Sequence, residues 1–115
     1  MSTIRGTTPT FTINLNGVDL TQNYRIYITI DQNGTQLTKD SFSDAMQMNI
    51  TKTEAEDGSI STQIDLHLTQ EETLMFDTGN AEIQAKWIDV TGAVEASDIS
   101  MVKFSRALLE DVVRS

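Results

Sequence analysis

From Ile60 to Leu68 the chain alternates without interruption. Ile60, Thr62, Ile64, Leu66 and Leu68 fall on one side, and Ser61, Gln63, Asp65 and His67 on the other. An extended strand projects successive side chains to opposite faces, so this spacing fits a strand with one buried and one solvated face and fits no helix. The same period recurs in Phe11, Ile13 and Leu15, in Tyr24, Ile26, Ile28 and Ile30, in Met46, Met48 and Ile50, and in Ile83, Ala85 and Trp87. A last run, Val94, Ala96, Ile99, Val102 and Phe104, slips register once near Asp98, which predicts a β-bulge. Between the runs stand Asn16-Gly17, Asn33-Gly34, Asp57-Gly58, Gly79-Asn80 and Thr91-Gly92, dipeptides whose glycines supply the positive φ of tight turns. About seven short strands, with turns roughly every 8–12 residues, predict an all-β antiparallel sandwich; a closed barrel has the same periodicity.

One segment breaks the rhythm. Thr69-Gln70-Glu71-Glu72 is a Thr-x-x-Glu capping box ahead of Thr73-Leu74-Met75-Phe76, and it predicts a single helical turn crossing from one sheet to the other. Leu108, Leu109, Val112 and Val113 share one side at helical spacing, in a segment too short to hold a helix alone. The 115 residues suffice for a single domain, here 1–115, with an N-terminal arm over 1–9 and a C-terminal tail over 105–115.

Composition narrows the partners. Seventeen Asp and Glu against eight Lys and Arg give a net charge of −9, a field that repels polyanions and disfavours nucleic-acid binding. With no cysteine there is no disulfide, thiolate metal site or cysteine nucleophile. No apolar run approaches the roughly 20 residues of a membrane helix, and the start Met-Ser-Thr-Ile-Arg has no signal-peptide core, so no membrane insertion is expected.

The residues that could carry chemistry are poorly placed for it. His67 alternates with Leu66 and Leu68 and faces out beside Asp65 and Gln63. Glu54, Glu56 and Asp57 lie on a hairpin tip, Glu71 and Glu72 cap a turn, and Glu110 and Asp111 stand near the end of the chain. General acid catalysis wants a carboxyl group in a cleft, and these positions are wet. Asp31-Gln32-Asn33-Gly34 resembles the start of a calcium loop, but Gln36 and Phe42 stand where that loop needs glycine and glutamate, so it reads as a hairpin turn. Asn33-Gly34-Thr35 and Asn49-Ile50-Thr51 match the glycosylation sequon with no secretory signal to make it meaningful. There is no phosphate-cradling glycine loop and no Gly-x-Ser-x-Gly elbow. Trp87 reads as core, while Tyr27, on the mixed face of its strand, is a candidate contact residue. No catalytic residue, cofactor site or metal site is assigned, and an enzyme is not expected.

Two stretches carry a family resemblance. Arg5-Gly6-Thr7-Thr8-Pro9-Thr10, followed by alternating Phe11, Ile13 and Leu15, resembles the opening of small proteins encoded in phage and prophage structural modules of Gram-positive bacteria. Leu68 to Phe76 resembles their mid-chain motif, and Glu82-Ile83-Gln84, Ala96-Ser97-Asp98-Ile99 and Leu108-Leu109-Glu110-Asp111 follow in the same order. The layout is also similar to the immunoglobulin-like N-terminal domain of phage baseplate upper proteins, without the coiled coil or receptor-binding extension that follows it there.

The resemblance implies an immunoglobulin-like sandwich that builds or decorates a virion, tail or baseplate, found in the particle or in the bacterial cytoplasm before assembly. Its partners would be other phage structural proteins or further copies of itself. The candidate contacts are Arg5, Thr7, Thr8, Tyr27, Leu108, Leu109, Val112 and Val113, with the arm and the tail expected at opposite ends of the domain and exposed apolar residues marking contacts. Two other functions fit the same features: a module binding host cell-surface carbohydrate through Tyr27, Trp87 or loop residues, and a tail-assembly chaperone that leaves before maturation.

Overall fold

The computed structural model describes residues 1–21, 24–109 and 112–113. Among them nine strands run in the order β1 (Ser2–Ile4), β2 (Thr10–Asn16), β3 (Arg25–Gln32), β4 (Thr35–Asp40), β5 (Met48–Glu54), β6 (Ile60–His67), β7 (Gly79–Ile88), β8 (Val94–Ala96) and β9 (Ser100–Ser105). A short helix, α1 (Gln70–Leu74), joins β6 to β7, and one 3₁₀ turn, Ala45–Gln47, precedes β5. The larger sheet has the order β1-β9-β7-β3-β4, with β8 also on β7, and the smaller has the order β2-β6-β5. The two sheets are separate and each has free edges, which removes the barrel alternative. Read along the chain as strands B, C, C′, D, E, F and G, the elements β2 to β7 and β9 form the B-E-D and G-F-C-C′ sheets of an immunoglobulin-like sandwich. Strand β1 adds to the G edge in parallel, pairing Ser2 with Lys103 and Ile4 with Ser105.

The alternation built these layers as expected. Phe11 and Leu15 on β2 and Ile64 and Leu66 on β6 face Ile26, Ile28 and Ile30 on β3, Ile83, Ala85 and Trp87 on β7, and Val102 and Phe104 on β9, all buried. Phe76, just past α1, stacks on Phe104 with centroids 4.8 Å apart. Thr62 sits in the same buried row, where its hydroxyl donates to the Val18 carbonyl at 2.7 Å and accepts from the Leu20 amide at 3.0 Å. One threonine thus satisfies two polar groups of the crossover between β2 and β3.

Asn33-Gly34 closes the β3–β4 hairpin in two residues, both with positive φ (50° and 93°), the mirror-image turn whose twist matches the strands. The bulge is also present. Lys86 pairs with Ala96 and Ile83 with Ser100, so three steps along β7 meet four along β8 and β9. Ser97 fills the gap, its Oγ accepting from the Ala85 amide at 3.0 Å.

Four readings need correction. Met46 is not on a strand but stands 97% exposed in the 3₁₀ turn, because Asp40 and Asp44 hydrogen-bond across residues 40–47 and fold them before β5 begins. Gly79-Asn80 is no turn; Gly79 is the first residue of β7. The last run is two strands, and Val94, Ala96 and Ile99 are exposed because β8 is an edge strand beside an open gap and the bulge turns Ile99 to the outer face. The tail forms no helix among its described residues: Ser105 is the end of β9, and Ala107 to Leu109 and Val112 to Val113 are irregular.

Candidate functional site

The two stretches that carry the family resemblance meet at one end of the sandwich. Thr73 on α1 is fully buried, and its hydroxyl accepts from the Gly6 amide at 3.0 Å while donating toward the carbonyls of Thr7 (3.0 Å) and Gln70 (3.1 Å). Arg5 lays its guanidinium over the end of α1, donating from Nη2 to the carbonyl of Leu74, its last residue, at 3.3 Å and from Nε to the carbonyl of Phe76 just beyond. A cation at a helix C-terminus satisfies orphan carbonyls and complements the helix dipole. Gly6, with φ +76°, makes the turn between these contacts. The helix they lock is itself set by the expected capping box: Thr69 Oγ1 accepts from the Glu72 amide at 3.2 Å and Glu72 accepts from the Thr69 amide at 2.9 Å.

The tail reaches the same place. The Gln70 side-chain amide takes both backbone groups of Val113, donating to its carbonyl at 2.8 Å and accepting from its N–H at 2.7 Å. The Leu109 carbonyl lies 4.0 Å from where a Cβ on Gly6 would stand. The arm and the tail are therefore not at opposite ends of the domain; α1 gathers both. Local pattern could not reveal this, since β1 lies parallel to β9 and the tail continues β9. At this end Ile4, Met75, Leu108, Leu109 and Val113 are exposed apolar side chains, Leu108 almost completely at 95%.

Of the other candidates, Thr7 is exposed and donates to the Ile4 carbonyl at 2.6 Å, Thr8 is exposed, and Val112 is half-buried. Tyr27 is separate. The arm and tail contacts lie toward the end of β3 where the Gln32 amide pairs with the Asp77 backbone, while Tyr27 stands on the outer face toward the other end, opposite Asp40 on β4. There the Arg25 guanidinium lies 5.3 Å from the Tyr27 ring and 5.1 Å from that of Phe42, and pairs with Asp40 at 3.0 Å. The Arg25 contact, with the Ser43 and Phe42 amides, holds the Asp40 carboxyl far below the usual carboxylate range. Sequence reasoning missed this group, whose one signal was a lone phenylalanine in Asp40-Ser41-Phe42-Ser43-Asp44.

The concavities are open. A depression of about 480 Å³ on the outer face of the larger sheet is lined by Thr29, Asp31, Gln36, Glu82, Gln84 and Met101 among others. Two further hollows, of about 130 and 500 Å³, lie in the gap between the sheets beside β2. Trp87 is buried and offers no stacking platform. His67 is exposed, with Nδ1 2.7 Å from the Thr10 hydroxyl. Glu54, Glu56 and Asp57 are exposed on the β5–β6 tip, where Ser59 holds Asp57 below its ordinary range. Glu110 and Asp111 lie outside the described residues. Among the described residues no three His, Cys, Asp or Glu side chains converge as a metal site, and no helix is long and apolar enough to cross a membrane.

No family model and no curated protein sequence matches the chain. Among solved structures it is similar to AggA, the major subunit of aggregative adherence fimbriae type I from Escherichia coli. That match has 7% identity over 92% of this chain and 89% of that one, at a TM-score of 0.38, a likeness too low to carry an argument.

Proposed function

We propose that this protein is a non-enzymatic structural domain of a phage or prophage particle, associated with tail or baseplate, and that it docks through the end of the sandwich where its two terminal segments meet. The observation that carries the docking is the anchoring of both segments on α1 with Ile4, Met75, Leu108, Leu109 and Val113 left exposed around it. Anchored backbone with exposed apolar side chains is the make-up of a contact surface. The assignment to a phage rests on the resemblance in Arg5–Thr10 and Leu68–Phe76, stretches that here form one hydrogen-bonded unit. Against the carbohydrate reading, Trp87 is inside the core.

The test is mass spectrometry of particles purified from the producing bacterium. A fixed copy number per particle is expected. Absence from mature particles, with the protein abundant in the lysate, overturns the structural role and leaves the chaperone.

A further inference from the structure

Among the described residues the smaller sheet ends on β2, which pairs only with β6. In an antiparallel ladder alternate residues turn their N–H and C=O to one neighbour. The Pro9 carbonyl accepts from the Leu68 amide and the Gly17 amide donates to the Ile60 carbonyl, so the odd-numbered residues face β6. Thr10, Thr12, Asn14 and Asn16 therefore turn their backbone groups outward, and among the described residues those groups have no protein partner.

Every other sheet edge among the described residues carries the usual protection against pairing. Strand β4 has Lys39 and Asp40, and β5 has Lys52 and Glu54; β8 holds Glu95 in three residues, and β1 is only three residues long. Charge and shortness discourage a second strand. The seven residues of β2, Thr-Phe-Thr-Ile-Asn-Leu-Asn, have neither.

We propose that β2 pairs with β2 of a second copy, antiparallel about a two-fold axis through Ile13, joining the two smaller sheets into one. This deepens the assembly reading above and rests on it. The pairing sets Thr12 opposite Asn14 of the second copy and Thr10 opposite Asn16, small polar side chains able to hydrogen-bond across strands. All four outward residues then receive backbone partners. Ile13, the one inward side chain of β2 left half-buried, meets its own copy.

The symmetry of the outward residues Thr10, Thr12, Asn14 and Asn16 about Ile13 selects a copy of the same chain for this edge. At −9 the chain repels itself, and although β2 carries no charge of its own, Glu95 and Asp98 line the hollows beside it, so pairing needs salt to screen them. The nearest charge on this sheet's outer face, Asp65 on β6, is opposite Thr12. Its counterpart lies three strand spacings away, about 14 Å, beyond a screening length of about 8 Å at physiological ionic strength. Two-fold pairing also closes on itself and yields a dimer rather than a filament.

The test uses the full-length chain. Sedimentation should show a monomer–dimer equilibrium that shifts toward dimer as salt rises. Asn14→Pro removes one outward N–H and none that faces β6, so it should fold, melt close to wild type and sediment as monomer. The chain has no cysteine, so Ile13→Cys offers a single thiol. Directly opposed residues without mutual hydrogen bonds sit about 4.5 Å apart at Cα, within disulfide reach, so mild oxidation should give a linked dimer. Thr51→Cys on β5 should not.

Three results overturn the pairing: a wild-type chain monomeric at every salt, an Asn14→Pro chain that dimerises like wild type, or equal cross-linking by the two cysteine variants. A wild-type chain that stays monomeric yet is found in purified particles removes the pairing and leaves the assembly reading intact. A dimer absent from particles does the reverse.

Discussion

The Lys39 ammonium on β4 and the Glu72 carboxylate on α1 form an ion pair that ties the edge of the larger sheet to the crossover between the sheets. Both side chains are largely shielded, 14% and 13% exposed. Glu72 also accepts from the Thr69 amide at 2.9 Å and the Gln47 side chain at 2.8 Å, so one carboxylate caps the helix and braces two neighbours. Gln47 in turn donates to the His67 carbonyl at 3.0 Å, where β6 ends.

That cluster gives the fold an acid-sensitive joint. Burial pushes the Glu72 carboxyl up, but Lys39, the Thr69 amide and Gln47 together outweigh it, and its folded-state pKa lies below the ordinary value. A depressed carboxyl stabilises fully above its unfolded pKa and loses that contribution as pH falls through the folded value. The melting temperature of the wild-type chain should therefore drop between roughly pH 5 and pH 3, and Glu72→Gln should flatten that drop. At neutral pH Glu72→Gln should cost about 1–3 kcal/mol, read by denaturant unfolding. Parallel pH profiles for the two proteins would show that Glu72 is not part of the joint.

The Thr73 hydroxyl should control the arm. Thr73→Val keeps shape and burial but leaves the Gly6 amide and the Thr7 carbonyl without their partner, at a cost of about 1–3 kcal/mol. Trypsin should then cut after Arg5 several-fold faster than in wild type, with the circular dichroism of the sandwich preserved. Unchanged cleavage would place the anchor of the arm elsewhere.

The two faces of β6 should respond in opposite ways. Leu66→Ala, at a fully buried position, should cost about 2–5 kcal/mol through lost burial and the cavity left behind. His67→Ala, next to it and exposed, should change stability by no more than about 0.5 kcal/mol. Equilibrium unfolding in urea measures both, and equal losses would contradict the orientation of the strand.

What could be read in the sequence was what is local. The run from Ile60 to Leu68 specifies β6 because side-chain period and backbone geometry are the same fact. Thr69 and Glu72 are one helical turn apart, so their box is written in adjacent letters, and the slip near Asp98 marked a real extra residue. The misreadings arose where distant residues decide. Met46 has the spacing of a strand, but Asp40 and Asp44 fold it into a turn. Nothing near Lys39 points to Glu72, and nothing near Gln70 points to Val113. The gathering of arm and tail on α1 was hidden for the same reason, since it depends on parallel pairing of the first strand with the last.

The docking claim is tested most directly by competition for incorporation. Full-length chain and a chain lacking Ala107–Ser115 would be co-expressed in the producing bacterium, and their ratio in purified particles measured by mass spectrometry against their ratio in the lysate. Loss of Leu108, Leu109 and Val113 from the gathered end should deplete the truncated chain in particles by tenfold or more, on the order of 1.4 kcal/mol of lost contact. Its circular dichroism should match that of the intact protein. Equal ratios in particles and lysate would contradict docking through the joined termini.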